Sequence, residues 1–321
     1  MQKIYHEGLK LSVVRLSGGI GNQLFQYAFS NFIERKYGIV TKLDLDSYSF
    51  SNKDDDRYPL INKLNIANKK FITSTPFLYK FMAQVGPVKL KKFLLKKREI
   101  TIRDSPIINN FNIVREGNCA YDKGIVFDSN KYYIGNFISP AYWQKYDEVI
   151  VDEIREQIMQ YSKSMGQARD SQQNAYKIAI HARRGDYIAN PKTKNFHGYC
   201  TTDFYVEAVK RIMHDYSNIK GVVIASDSGK FAIELGNRIR ELNLEIDFEF
   251  NKEPIIVLRN LMKFKYFIGS NSTLSWWAST LGVSEVSIFP KNWFVNSDYS
   301  FNNTNHYIKI PILLDIDLST D

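Results

Sequence analysis

Two hydrophobic periods alternate along the second half of this 321-residue chain, and that alternation constrains the fold more than any other feature. "YKIAIHA" (176–182), "KGVVIAS" (220–226), "LEIDFEF" (244–250), "KYFIGS" (265–270) and "EVSIFP" (285–290) read as strands. Between most of them lie runs with helical spacing, notably "DFYVEAVKRIMHDY" (203–216), "KFAIELGNRIREL" (230–242) and "TLSWWASTLG" (273–282). A crossover helix must bury its apolar stripe on the sheet it spans, so the pattern implies an α/β fold with a parallel sheet covered on both faces.

The same grammar opens the chain. "KLSVVRL" (10–16) reads as a strand and passes through three glycines, Gly18, Gly19 and Gly21, into a helix carrying Leu24, Phe25, Ala28, Phe29, Phe32 and Ile33, which Gly38 is placed to stop. The length suits two lobes, each with its own core. The polar stretch "YSKSMGQARDSQQNAY" (161–176) is the expected connection. The expected domains are therefore 1–160 and 177–295, with the tail 296–321 packing back on the N-terminal lobe. Residues 45–130 give little periodic signal.

Composition narrows the partner without naming it. With 43 Lys plus Arg against 34 Asp plus Glu, the charge of +9 favours anions such as nucleotides, nucleic acid or an acidic membrane face. No nucleic-acid reader motif accompanies it. Only Cys119 and Cys200 are present, with no CxxC or Cys/His cluster, which points to a reducing, cytoplasmic setting and away from a zinc site. The first sixteen residues hold no apolar block of signal-peptide length, and Ser, Thr and Asn recur too often in 266–284 for a lipid-facing helix. The basic run "VKLKKFLLKKREITIR" (88–103) has two readings. Leu90, Phe93 and Leu94 form an apolar side and Lys89, Lys92 and Lys96 a basic one, which suits peripheral contact with a membrane; a solvated helix face is the commoner case.

Four stretches carry chemistry. In "LSGGIGNQLFQYAF" (16–29) the glycines allow positive φ and close approach, and the helix start offers amides to an anion; tight packing alone is the competing reading. The spacing matches neither GxGxxG nor a GK[ST] loop. "HARRGDY" (181–187) follows a strand at the sheet edge where α/β folds bind ligands. Arg183 there is suited to grip a diphosphate bidentately, and Asp186 to orient an arginine or accept a proton; an exposed loop held by a local Arg–Asp pair is the competing reading. In "GSNSTLSWWAS" (269–279), Ser270, Ser272 and Thr273 sit at a helix start, where an ordinary N-cap competes with a phosphate site. Asp227 in "IASDS" (224–228) ends another strand, within reach of a ribose or guanine, or simply forms a turn. Asp44/Asp46 and Asp315/Asp317 imitate a metal-binding DxD, yet alternating charges on half-exposed strands explain both. His197 and Cys200 lack the third group of a nucleophile site.

Taken in order, "GGIGNQLFQYAF", "HARRGDY", "HGYC" with "DFYVEAV", "ASDS", "SNSTLSWWAS" and "FPKNWF" closely resemble the bacterial alpha-1,2-fucosyltransferases, over residues 15–30 and most of 177–295. The resemblance implies a GT-B architecture, two Rossmann-like lobes facing a central cleft. It also implies metal-free, inverting transfer of L-fucose from GDP-fucose to the 2-OH of a galactose-containing oligosaccharide, free or lipid-linked, in bacterial O-antigen or surface polysaccharide synthesis. By position, Arg183 looks like the arginine on the donor's β-phosphate. His181 and Asp227 fall by the guanosine, and Ser270, Asn271, Ser272 and Thr273 by the diphosphate. Gly19 and Gly21 join the donor-binding residues, Asn22 would face the sugar and the incoming hydroxyl, and Asn22 and Asp186 join Arg183 as catalytic candidates. The chain departs from the family at Gly135-Asn136-Phe137-Ile138-Ser139, where relatives carry a Gly-Tyr-Trp-Gln-Ser type stretch, and at Ser228 and residues 254–262, where acidic residues are usual. Those departures leave open another linkage or acceptor, or a protein that binds the sugar nucleotide without turnover.

Overall fold

A computed structural model describes residues 10–48, 58–66, 70–72, 111–117, 121–166, 172–295, 311–314, 316, 318 and 319. The chain divides into two compact units, Met1–Ile150 and Val151–Asp321. The basic run at 88–103, Cys119, Asp315 and Asp317 lie outside the described residues.

The first unit is a wholly parallel five-stranded sheet in the order β3-β2-β1-β5-β4. Its strands are β1 (Leu11–Arg15), β2 (Val40–Asp44), β3 (Lys70–Ile72), β4 (Asn112–Arg115) and β5 (Lys131–Ile134). Helix α1 (Ile20–Tyr37) crosses from β1 to β2 and ends at Gly38, which adopts φ +64 and donates its N–H to the Glu34 carbonyl. That left-handed turn is why glycine stops the helix here. Almost every residue of α1 from Ile20 to Ile33 is buried, including Gln23 and Gln26, so the helix is an interior element with polar contacts of its own. Phe29 stacks on Phe137 at 3.8 Å and meets Tyr133 and Tyr142 edge-on, locking α1 to the segment that follows β5.

The acidic pair Asp44/Asp46 is not on a half-exposed strand. Both residues are fully buried: Asp44 closes β2, accepts a hydrogen bond from the Tyr132 hydroxyl and takes the Asp46 N–H at 3.0 Å. These bonds satisfy a carboxylate that burial would otherwise make costly. Among the described residues no group of three or more His, Cys, Asp or Glu side chains is arranged to hold a metal.

In the second unit, six strands run parallel in the order β11-β10-β9-β6-β7-β8. The five strands expected from the sequence form as β6 (Lys177–Ala182), β7 (Gly221–Ser226), β8 (Glu245–Glu249), β9 (Tyr266–Gly269) and β10 (Val286–Pro290). The expected helices appear as α5 (Thr202–Asp215), α6 (Gly229–Arg240) and α8 (Thr273–Leu281). Thr201 and Ser228 cap α5 and α6 with their side-chain oxygens. Added to these are α3 (Gly185–Ala189), α4 (Pro191–His197) and α7 (Pro254–Leu261). Trp276 and Trp277 on α8 are fully buried and perpendicular to one another, core residues both.

Two boundaries differ from expectation. The division falls inside α2 (Asp147–Ser164) rather than in the polar stretch 161–176. The helix buries Ile154 and Ile158, and Arg155 Nε donates to the Leu281 carbonyl at 2.8 Å, so it packs with the second unit before the chain turns polar. The C-terminal segment, expected on the N-terminal lobe, instead adds β11 (Pro311–Leu314) to β10 of the second sheet, and Ser319 bridges antiparallel to Tyr199. An apolar β10 left as an edge would present an unpaired backbone row, which β11 covers. Among the described residues no helix is long and apolar enough to cross a membrane.

Candidate functional site

Both sheets reverse their direction of growth once, and ligands of open α/β sheets bind beyond the carboxyl ends of the strands at that point. In the first sheet the reversal lies between β1 and β5, in the second between β6 and β9. The residues singled out by sequence fall at these two edges.

At the first edge, the loop after β1 enters α1. Gly18 has φ +75, and a Cβ there would lie 2.6 Å from Asn22 Nδ2, so the Asn22 side chain itself requires this glycine. The Gly18 carbonyl accepts from Gln23 Nε2 (3.0 Å) and the Tyr48 hydroxyl (2.8 Å). Gln23 Oε1 in turn accepts the amides of Leu60 and Ile61, both at 2.9 Å. Gln26 closes the other side, taking Ser17 N–H at 2.9 Å and donating to the Ser17 hydroxyl (3.0 Å) and the Gly135 carbonyl (2.9 Å). These two glutamines hold the loop rigid, and sequence reasoning passed over them. Gly21 is buried inside the first turn of α1. Gly19 differs from its neighbours. Its φ of −77 suits any residue and a Cβ there would meet nothing within 4 Å, so neither backbone nor internal packing demands a glycine. The first turn of α1 also carries no acidic side chain to offset its positive end.

Asn22 reaches the turn after β5, its Nδ2 donating a long 3.5 Å hydrogen bond to Asn136 Oδ1. The turn bearing Asn136 is held by Glu116, whose carboxylate accepts the amides of Asn136 (2.8 Å) and Phe137 (2.9 Å) and the Tyr142 hydroxyl (3.1 Å). Burial outweighs these bonds and pushes the Glu116 carboxyl up to about 7.

The second edge is denser. The register His181↔Gly269 brings Arg183 beside Ser270: Ser270 N–H donates to the His181 carbonyl (3.0 Å) and Arg183 N–H to Ser270 Oγ (3.3 Å). Ser270 is fully buried and also meets Ser275 Oγ at 3.2 Å, which makes it a strut for the loop. His181 is buried with Nδ1 2.6 Å from Ser275 Oγ. Burial, reinforced by the Arg183 charge and only partly offset by Asp227, lowers its pKa to about 4, so the ring is neutral at physiological pH.

Arg183 forms an ion pair with Asp227, Nη1 to Oδ2 at 2.9 Å, with about a third of its side chain exposed. Asp227 Oδ1 takes the Arg184 amide at 2.7 Å. Gly185 lets the carboxylate close in, since a Cβ there would sit 2.8 Å from Asp227 Oδ2. Expected beside a guanosine, Asp227 is engaged with the two-arginine loop. The second arginine is not left to meet an anion. Arg184 is buried with its guanidinium 3.7 Å from the Phe231 ring centroid and 4.4 Å from that of Tyr199, a cation held between two aromatic faces. Asp186 lies in α3, and its side chain is outside the described part of the molecule.

Of the helix-start residues, Ser272 occupies the N-cap position of α8 without making a capping bond, and Thr273 opens the helix. Asn271 is fully buried and donates Nδ2 to the carbonyls of His197 (2.8 Å) and Trp293 (3.2 Å), tying the loop to α4 and the segment after β10. Tyr187 adds a bond from its hydroxyl to the Asn271 carbonyl (3.1 Å) and stacks on His197. Cys200 is buried and its thiol pushed up to about 12, which removes it as a nucleophile.

With this geometry in place, the sequence comparisons are specific. The model of "Glycosyl transferase family 11" matches residues 11–309. An alpha-1,2-colitosyltransferase of Escherichia coli is 24% identical over 311 residues, covering 89% of this chain and 93% of the relative. The O-antigen biosynthesis glycosyltransferase WbnK of Escherichia coli is 27% identical over 319 residues, covering 92% and 99%. Among solved structures, the NodZ alpha-1,6-fucosyltransferase soaked with GDP-fucose aligns with a TM-score of 0.47 at 13% identity, over 88% of this chain and 95% of that one. A family match across nearly the whole chain, spanning both sheet edges, makes this protein a member of glycosyl transferase family 11.

Proposed function

We propose that the protein transfers L-fucose from GDP-fucose, with inversion and without a metal, to the 2-OH of a galactose-containing acceptor during assembly of a bacterial surface polysaccharide such as O-antigen. The observation that carries this reading is Arg183, set at the reversal point of the second sheet, oriented by Asp227 and adjacent to the start of α8. Transfer of a deoxysugar passes through an oxocarbenium-like state in which negative charge gathers on the departing diphosphate. A guanidinium has five N–H donors in a fixed fork, so bonding to Asp227 is compatible with a bidentate grip on phosphate. The hydroxyls of Ser272 and Thr273 and the amides at the start of α8 complete the diphosphate cradle. His181, neutral and buried, supplies a hydrogen-bonding ring without adding charge against the nucleoside.

The open backbone at Gly19 and the side chain of Asn22 serve the sugar and the incoming hydroxyl, and Asp186 is the residue we assign to accept the hydroxyl proton. A second reading follows from the colitosyltransferase relative: the donor sugar is colitose rather than fucose. The test is a transfer assay with GDP-fucose and GDP-colitose on a panel of galactosides with EDTA present, the product linkage read by NMR. An alpha-1,2-fucosyl product supports the first reading and an alpha-1,2-colitosyl product the second. Binding of a GDP-sugar with no transfer or hydrolysis contradicts both.

A further inference from the structure

We propose that Glu116 is a positioning residue: its carboxylate folds the Gly135–Phe137 turn so that Asn136 is presented to Asn22. The inference deepens the transfer reading above and rests on it only for its kinetic arm.

Glu116 immediately follows β4 and stays in register with β5, donating its own N–H to the Ile134 carbonyl at 2.9 Å. Its Oε2 receives two consecutive amides, those of Asn136 and Phe137, while Oε1 receives the Tyr142 hydroxyl. Two successive N–H groups converge on one oxygen only if the backbone curls, and Phe137 accordingly sits at φ +49, a left-handed conformation unfavourable for a bulky residue. Gly135 makes room: a Cβ there would lie 2.6 Å from Glu116 Cβ and 2.7 Å from Oε2. The turn is thus shaped around a carboxylate, and its product is the placement of the Asn136 amide against Asn22 at the head of α1.

The groups that face Glu116 do nothing to hold its charge by ion pairing. Tyr142 and the two amides donate hydrogen bonds, and Asp122, whose own N–H donates to the Tyr142 hydroxyl at 2.9 Å, adds negative charge nearby. No cation pairs with Glu116 among the described residues. The ionised carboxylate accepts all three donors. In the protonated form the proton falls on Oε1, because Oε2 already takes the two turn amides; Oε1 then donates, and the Tyr142 hydroxyl that braces the carboxyl group beneath the turn loses its acceptor. The Asn22–Asn136 arrangement should therefore be fully set above the Glu116 pKa, raised to about 7, and slacken as pH falls through it.

The test uses the full-length wild type, Glu116→Gln and Glu116→Ala. In 15N NMR, the Asn22 side-chain amide of the wild type shifts with a midpoint near the Glu116 pKa, and in the near-isosteric Glu116→Gln it does not. In the transfer assay, kcat of the wild type falls on the acid side of the same midpoint. Glu116→Gln, which like the neutral acid offers one acceptor oxygen and one donor end, loses that limb and runs at the wild type's low-pH rate at every pH. Glu116→Ala drops kcat by about 10²-fold with the donor KM within about twofold, the signature of misplaced groups rather than lost donor binding. An Asn22 signal that stays flat in the wild type, or titrates alike in Glu116→Gln, overturns the proposal. A wild type that shows the NMR titration yet transfers no sugar leaves Glu116 in its role and removes the transfer reading instead.

Discussion

Replacing Asp227 by Asn separates two jobs that the residue could do. The Arg183–Asp227 pair spans 2.9 Å, with the two side chains about a third and a quarter exposed. Two unit charges 4 Å apart in surroundings of effective dielectric 20 interact by about 4 kcal/mol, and partial solvation and the cost of ordering both side chains reduce this toward the range of exposed pairs, to about 1–2 kcal/mol net. Asp227→Asn keeps an oxygen for the Arg184 amide, so the stability loss should stay at that level, a fall in Tm of about 3–6 °C for a unit of this size. The functional effect has a different sign for binding and for turnover. Deleting a negative charge beside Arg183 makes the site more attractive to a diphosphate, so GDP affinity by calorimetry should hold or rise. Transfer should fall about 10²-fold, because the guanidinium is no longer fixed where charge develops. A loss of GDP affinity beyond tenfold with kcat unchanged would refute the reasoning and return Asp227 to direct contact with the nucleoside.

The other expectations are briefer. Arg184→Ala removes a buried cation from between Phe231 and Tyr199 and should destabilise the second unit by about 2–3 kcal/mol, read by denaturant unfolding; an unchanged midpoint would contradict the sandwich. His181 should show no titration of its ring 13C signals between pH 5.5 and 8. Since its folded pKa lies near 4 against 6.5 unfolded, the unfolded chain binds the proton first and stability falls as pH drops from 6.5 toward 4. Glu116, raised from 4.5 to about 7, acts oppositely between those values, so the His181 slope is read as the difference between wild type and His181→Asn. Asp186→Asn should lower kcat at least 100-fold with donor affinity unchanged, and near-normal turnover would free Asp186 from the base role.

The parallel sheet of the second unit was legible because each strand and crossover helix repeats its own period over enough residues to be distinctive. The entry into α1 was legible for the same reason, and Gly38 stops the helix as its position implies. What hid were features whose meaning depends on distant partners. Nothing local announces that Asp44 is buried against Tyr132, 88 residues away, or that Gln23 and Gln26 are interior braces rather than surface residues. The tail escaped because a four-residue strand is defined by the edge it covers. Three glycines read as one signal proved to be three separate cases: Gly18 is required by Asn22, Gly21 is packed within α1, and only Gly19 opens to space. Arg183 and Arg184, adjacent in sequence, part company in the same way, one bonded to a carboxylate and the other to aromatic faces.

The most direct test of the account is isothermal calorimetry of the wild type and Arg183→Ala against GDP, GDP-fucose and UDP-galactose with EDTA present. The account expects the wild type to bind GDP and GDP-fucose but not UDP-galactose, and Arg183→Ala, folded and with a Tm lowered by no more than the about 3–6 °C expected from losing the Asp227 pair, to bind GDP at least tenfold more weakly. Equal GDP affinity in the two proteins, or a preference for the uridine nucleotide, would contradict it.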